Sequence, residues 1–202
     1  MKNSQKYFHR NNRQGQSGFS LFETLVAIFI LMLAIAGAMS LTQKSLSASY
    51  YARDQVIASF LAQDAIEYIR NIRDKAYNIT QGQHTPELWG TYFGTYWPGS
   101  GASSSFKIDT TADPTTNPVN AFSGDGSTCQ TTNLIFHSST GIYNHDDTDG
   151  SPPSRFYRCV TMTSNAAGNE VLLDVVVGWK TGSFPSQSIE VKDILMDWGE
   201  VE

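Results

Sequence analysis

The chain has 202 residues, enough for one domain and a membrane anchor. Fourteen basic and nineteen acidic residues give a formal charge of −5, which argues against a nucleic-acid partner, since such a partner needs a basic footprint. A Gly-rich phosphate loop, a nucleophile elbow and an HExxH pattern are all missing from the sequence, so it recommends no catalytic class and implies no cofactor.

Positive charge is concentrated at the start. Residues 1–18 hold Lys2, Lys6, Arg10 and Arg13 and no acid; taking these four from the fourteen leaves ten basic against nineteen acidic residues, a charge of −9 for the remainder. A run of uncharged residues from Thr24 to Gln43 follows, mostly Leu, Ile, Ala, Phe, Met and Val. As a helix it spans about 30 Å, the thickness of a bilayer's hydrocarbon core. In lipid a helix satisfies every backbone N–H and C=O within its own segment. Cations before the run are expected to stay cytoplasmic, which puts everything after it outside the membrane. One carboxylate, Glu23, stands at the mouth of the run, four residues after Phe19. A charge there is costly in lipid and marks a functional residue in need of a partner.

The segment Gly18-Phe19-Ser20-Leu21-Phe22-Glu23, with the apolar run behind it, resembles the N-terminal signature of type IV pilins and pseudopilins. The resemblance implies that residues 1–18 are a basic leader, removed by a membrane-embedded prepilin peptidase. The cut falls between Gly18 and Phe19, and the same enzyme methylates Phe19. Glu23, with Phe19, then guides assembly, and residues 19–43 form the lipid-spanning and later filament-core half of a long helix. The implied partners are the peptidase, other pilins met through their N-terminal helices, the inner-membrane pilus assembly machinery, and membrane lipid before assembly. The implied location is a single pass through the cytoplasmic membrane with the C-terminus outside, then an extracellular pilus. Major pilins often carry a Pro in this helix; here only Gly37 is a weak point. A rival reading rests on Ala34-Ile35-Ala36 before Gly37 and Ala36-Gly37-Ala38 before Met39, which are small-residue signal-peptidase patterns. Cleavage there releases a secreted, soluble binding module.

The helical pattern continues past Gln43, with no Pro or Gly from Thr42 to Ile79. Ile57, Leu61, Ala65, Tyr68, Ile69 and Ile72 recur at three- and four-residue steps and make one apolar face. Arg53, Gln63, Asp64, Glu67, Arg70 and Arg73 supply polarity, and Glu67 is placed to pair with Arg70 or Asn71. The expectation is one helix from about Phe19 to about Asp74, roughly 80 Å long, with residues 44–76 as its amphipathic half. The phrase Leu61 to Asp74 resembles the helix of PilV-like minor pilins. That resemblance implies a filament subunit serving adhesion, motility or DNA uptake; a pseudopilin of a type II secretion or competence system is the alternative.

Residues 77–154 are polar and loop-rich, with short strands expected at Ser105–Asp109 and Asn133–His137. Trp89, Tyr92, Phe93, Tyr96 and Trp97 read as a satellite core under a long loop in preference to a stacking platform for sugars or bases. Asp146, Asp147 and Asp149 before Gly150 mimic part of a calcium loop. His145 and Phe156 occupy the positions where an EF-hand has its first Asp and its bidentate Glu, so a solvated turn without metal is expected. His9 lies in the leader, and His84, His137 and His145 read as loop or edge positions.

From Arg155 the period becomes two. Phe156 to Thr163, Val171 to Trp179 and Ser188 to Trp198 read as three strands, with turns at Asn165–Asn169 and Gly182–Pro185. Residues 155–202 are therefore expected to form an antiparallel meander laid on the apolar face of the helix. The fold class is α+β and pilin-like. Cys129 and Cys159 fall on the oxidising side of the membrane, where a disulfide is permitted. Closing about thirty residues, it stabilises by roughly 3–4 kcal/mol in the chain-entropy picture.

Overall fold

The computed structural model describes residues 18–79, 86–113, 121–148, 150–181 and 185–196. They form two units, the first ending at Ala48 and the second beginning at Ser49. Helix α1 runs Leu21–Ile79, starting two residues later and ending five later than the spacing predicts. In the first unit it is exposed on every side through Leu46. The sequence here has no stripe because the whole surface is apolar, and nothing within the unit covers it.

The second unit is one α/β layer pair. A short helix, α2 (Pro86–Phe93), and a 3-10 turn (Gly94–Tyr96) precede strands β1 (Ser103–Ile108) and β2 (Phe122–Ser123). Then come α3 (Gly126–Cys129), β3 (Asn133–His137), β4 (Ile142–Asn144), β5 (Pro153–Ser164), β6 (Glu170–Trp179) and β7 (Gln187–Met196). The three long strands form the expected antiparallel meander, β5 on β6 from Phe156↔Trp179 to Ser164↔Val171 and β6 on β7 from Glu170↔Met196 to Trp179↔Gln187. Trp198 and residues 182–184 of the last turn lie outside the described residues.

The sheet is larger than the meander. Among the described residues, β1 to β4 join it from the polar region, giving seven strands. A strand has two edges, and β6 occupies one edge of β5 along its length. The other edge is shared: β1 takes Val160–Thr163, while β3 reaches Tyr157 and Pro153 through a bulge. Between these partners Arg158 and Cys159 stand at a fork where β1 and β3 part.

The core lies between α1 and the inner face of the sheet. Ala58, Leu61, Ala62, Ala65, Ile66, Ile69 and Ile72 face Phe156, Val160, Met162, Val171, Leu173, Val175, Val177, Trp179 and Leu195. Alanines at three of these helix positions let the backbone come close. Ile57, expected in this face, is only partly buried and packs at its margin. The aromatic segment is no satellite. Phe93 is buried in the same core, and Tyr92, Tyr96 and Trp97 pack against it. Rings of Phe93, Tyr96 and Phe106 all meet Phe122 at 5.0–5.8 Å. The side chain of Trp89 lies outside the described residues. On the outer face, Tyr157 lies over Gly178, where any Cβ would collide with its ring.

Candidate functional site

Two places carry the chemistry. The first is the start of the chain. Gly18, Phe19 and Ser20 precede the helix and are exposed, Phe19 at 80%. Thr24 N donates to Ser20 O at 3.1 Å and opens the helical ladder, while Thr24 Oγ1 turns back to Leu21 O at 2.8 Å. Glu23 sits in the first turn, where four unpaired N–H groups and the helix dipole favour a carboxylate. A Cβ built on Gly18 meets nothing within 4 Å. Among the described residues, packing therefore places no demand for glycine at that position. Gly18, Phe19 and Glu23 are brought together by adjacency and the first helical turn alone.

The second place is the fork in the sheet. Arg158 is fully buried, on the inward register between Phe156 and Val160. Its Nη1 donates to Leu61 O and to Asp64 Oδ2, both at 3.0 Å, and its Nη2 to Ile108 O at 2.9 Å. One guanidinium thus ties α1, β1 and β5 at the point where the ladder has a gap. Asp64 is half exposed and also accepts from Thr110 Oγ1 at 2.6 Å. Burial pushes the Arg158 pKa down and the Asp64 charge opposes that. On the opposite face, Cys159 is bonded to Cys129 of α3, with Cα atoms 5.0 Å apart. The Asp125 side chain caps that helix by accepting from Ser127 N and Thr128 N, and the bond from the Ser127 hydroxyl first, then those from Thr128, hold its carboxyl at about 2. Arginine and disulfide close the fork from its two sides.

His145 lies in the loop after β4, as expected, and both its ring nitrogens are buried without a hydrogen-bond partner among the described residues. Burial, then the Arg158 and Lys107 charges, lower its pKa to about 4, so it is neutral at pH 7; Asp109 acts in the opposite sense. His137 is not an edge residue in the solvated sense. It is buried on β3 and bonds Asn144 Oδ1 through Nε2 at 2.6 Å. Beside the fork, an open trough of about 610 Å³ runs between α1 and the β3–β4 hairpin. Ile57, Phe60, Leu61, Ile142 and Tyr143 wall it, with Asp64, Thr110 and Thr111 as its polar groups.

The acidic turn is a turn. Asp146 and Asp147 are exposed, and Asp146 Oδ1 accepts from Thr148 N at 3.0 Å. Asp149 lies outside the described residues. No group of three or more His, Cys, Asp or Glu placed to hold a metal occurs among the described residues.

Sequence reasoning missed Arg158 and Asp54, the latter a buried carboxylate of α1 that accepts from Arg155 Nη1 at 3.1 Å and Thr181 Oγ1 at 2.8 Å. A signal for the first was present: an arginine at the inward phase of an apolar alternation must have buried partners.

Residues 13–39 match the family model described as the prokaryotic N-terminal methylation motif. No curated protein and no solved structure matches the chain. The matched stretch contains Gly18, Phe19, Glu23 and most of the apolar run, and over it the chain is similar to prepilins of the type IV pilin-like kind.

Proposed function

We propose that the chain is a minor type IV pilin, a structural subunit with no catalysis of its own. Prepilin peptidase cuts between Gly18 and Phe19 and methylates Phe19. The mature chain then waits in the cytoplasmic membrane with its C-terminal unit outside, until the assembly machinery draws it into a filament of sister helices. One observation carries this reading: an uncharged helical run, Thr24 to Gln43, exposed on every side among the described residues and entered through a Gly-Phe junction and one first-turn carboxylate. Such a helix needs lipid or other helices around it, and the junction supplies the step between the two. The minor-pilin assignment, as against a pseudopilin, rests on the resemblance of Leu61 to Asp74.

Mass spectrometry of the mature N-terminus in the native host tests the reading. Methylated Phe19 is expected, with slow processing in Gly18→Ala and none in Gly18→Val. An N-terminus at Gly37 or Met39 would overturn it in favour of a secreted protein.

A further inference from the structure

The second unit begins with an end knit around Asp54. This carboxylate is buried and accepts from Arg155 Nη1 at 3.1 Å and from Thr181 Oγ1 at 2.8 Å. Next to it the Tyr51 ring lies 6.1 Å from that of Trp179. These contacts gather side chains from α1, β5 and the end of β6 at one place. Tyr50, Tyr51, Arg53, Arg155 and Lys180 are all exposed there. The carboxylate knitting this end together is inside, so its negative charge is covered while the cations face water. Arg70 and Lys192, by contrast, each pair with acids on the surface. Arg53 and Lys180 have no ion pair among the described residues. The adjoining residues 182–184, Gly-Ser-Phe, add no charge.

We propose that this end, Tyr50, Tyr51, Arg53, Arg155 and Lys180, is a docking surface for the anionic headgroups of a bilayer. It deepens the function proposed above and rests on its membrane-anchored stage. Three arguments select lipid as the occupant. The chain after residue 18 carries a charge of −9, so a local excess of cations is a departure from the whole and matches an anionic surface. Two adjacent exposed tyrosines are the amphipathic rings that settle at a lipid–water boundary. Tyr50 follows Gln43, the end of the uncharged run, by seven residues. However those residues run, they keep it within about 25 Å of the bilayer's hydrocarbon. A basic residue gains most from anionic lipid within about a Debye length, roughly 10 Å, of the headgroups, and docking of this end is what would bring Arg53, Arg155 and Lys180 into that zone. The unit is then restrained against the membrane until assembly lifts it away.

The test uses the full chain reconstituted in vesicles, with lipids carrying a nitroxide quencher on the headgroup. A fluorophore is placed on Ser186→Cys, exposed just before β7 at this end, or on Ala166→Cys in the β5–β6 turn at the other end of the strands. With about one third phosphatidylglycerol and salt near 0.1 M, quenching at position 186 should exceed that at 166 about threefold or more. The ratio should fall towards one in pure phosphatidylcholine, in about 0.5 M salt, and in Arg53→Gln/Lys180→Gln, which leaves the Asp54–Arg155 pair intact. Each cation removed should weaken docking about fivefold. A chain that floats with the vesicles and gives the same ratio in both lipids overturns the proposal, as does a double variant that quenches like the parent. A ratio that tracks protein density instead of lipid charge overturns it in favour of a second copy. A chain that floats with neither vesicle overturns the anchor reading, and this proposal falls with it.

Discussion

Helix α1 is two different objects joined end to end. Leu31 in its first part is 59% exposed and Leu61 in its second part is 6% exposed, although both are leucines in good helical sequence. The difference is in where the partner lies. After Ser49 most of the apolar residues fall on one face and meet a sheet of the same unit, with Val56 and Phe60 left exposed. Before Ala48 they fall all round and are exposed among the described residues. A one-sided apolar helix completes its burial by folding; an all-round one can complete it only in lipid or among other helices. The first part is therefore read for function and the second for stability.

The largest expected loss of stability comes from the fork. Asp64→Ala strips the fully buried Arg158 guanidinium of its hydrogen-bonded counter-charge and leaves only the more distant Asp109 acting on it. Because Asp64 is half exposed, the loss should lie towards the lower end of the about 3–5 kcal/mol typical of a buried pair. Arg158→Met is expected to cost less. It removes the Arg158 bonds to Leu61 O and Ile108 O, at most about 1–3 kcal/mol per carbonyl and less for Leu61 O, which keeps its helical donor from the next turn. The carboxylate left behind is half exposed and stays hydrated. Urea unfolding of the chain from Ser45 onward, itself expected to be soluble and folded, measures both. An Arg158→Met more damaging than Asp64→Ala would show that the carbonyl bonds outweigh the ion pair.

The comparison between the halves is sharpest with one substitution made twice. Leu61→Ala should cost about 2–5 kcal/mol, because the surrounding core only partly fills the space. Leu31→Ala in the full chain should leave the unfolding of the second unit unchanged, since its side chain touches none of that core. Equal effects would mean that the two halves share a cooperative unit.

These tests also show where sequence stops speaking. The apolar run, the helix stripe and the three long strands are legible because each is a period, and a period survives without knowledge of its partner. The fork is not periodic. It exists because β1 and β3, about thirty residues apart in the chain, divide one edge of β5, and no local pattern around Arg158 says so. The polar region could be read only as two short strands, because its β2 and β4 span two and three residues. The aromatic segment was legible as packing but not as part of the main core, since its contact with Phe106 and Phe122 depends on that same pairing. Glycine at position 18 and glutamate at 23 carry a different kind of signal. Nothing in the fold needs either, and so the structure alone adds little to what the sequence shows of them.

A smaller effect should come from acid. His145 has a pKa of 6.5 when unperturbed and about 4 in the fold, so on acidification the unfolded chain takes up the proton first. Its contribution to stability is full above pH 6.5, declines as pH falls through the window, and levels off near 4. Carboxylates held low by hydrogen bonds, such as Asp125, lose their share only below this window. The thermal midpoint should fall between pH 6.5 and 4, and His145→Leu should flatten that limb. A slope unchanged by the substitution would assign it to other groups.

The least expected effect on folding, and the largest on function, belongs to Glu23. It stands in the first turn of α1, in the part of that helix whose side chains are exposed among the described residues, so Glu23→Gln and Glu23→Val should leave the unfolding of the second unit where it was. Cleavage after Gly18 should also survive, because the junction precedes the helix and Glu23 lies one turn beyond it. Assembly is different. In the function proposed above Phe19 becomes the first residue; its methylated amine is then a cation beside an apolar helix, with the Glu23 carboxylate one turn away. Among packed helices an unpaired charge is expensive and a paired one is strongly held, far more than on a wet surface. Two subunits can satisfy amine and carboxylate between them in one axial register only, so pairing and alignment become the same event. Glu23→Gln keeps the shape and removes the charge; Glu23→Val removes both. Recruitment into filaments, read by shearing and immunoblot, should fall at least tenfold for either. Normal recruitment of Glu23→Gln would show that shape or hydrogen bonding at this position suffices and that charge does not set the register.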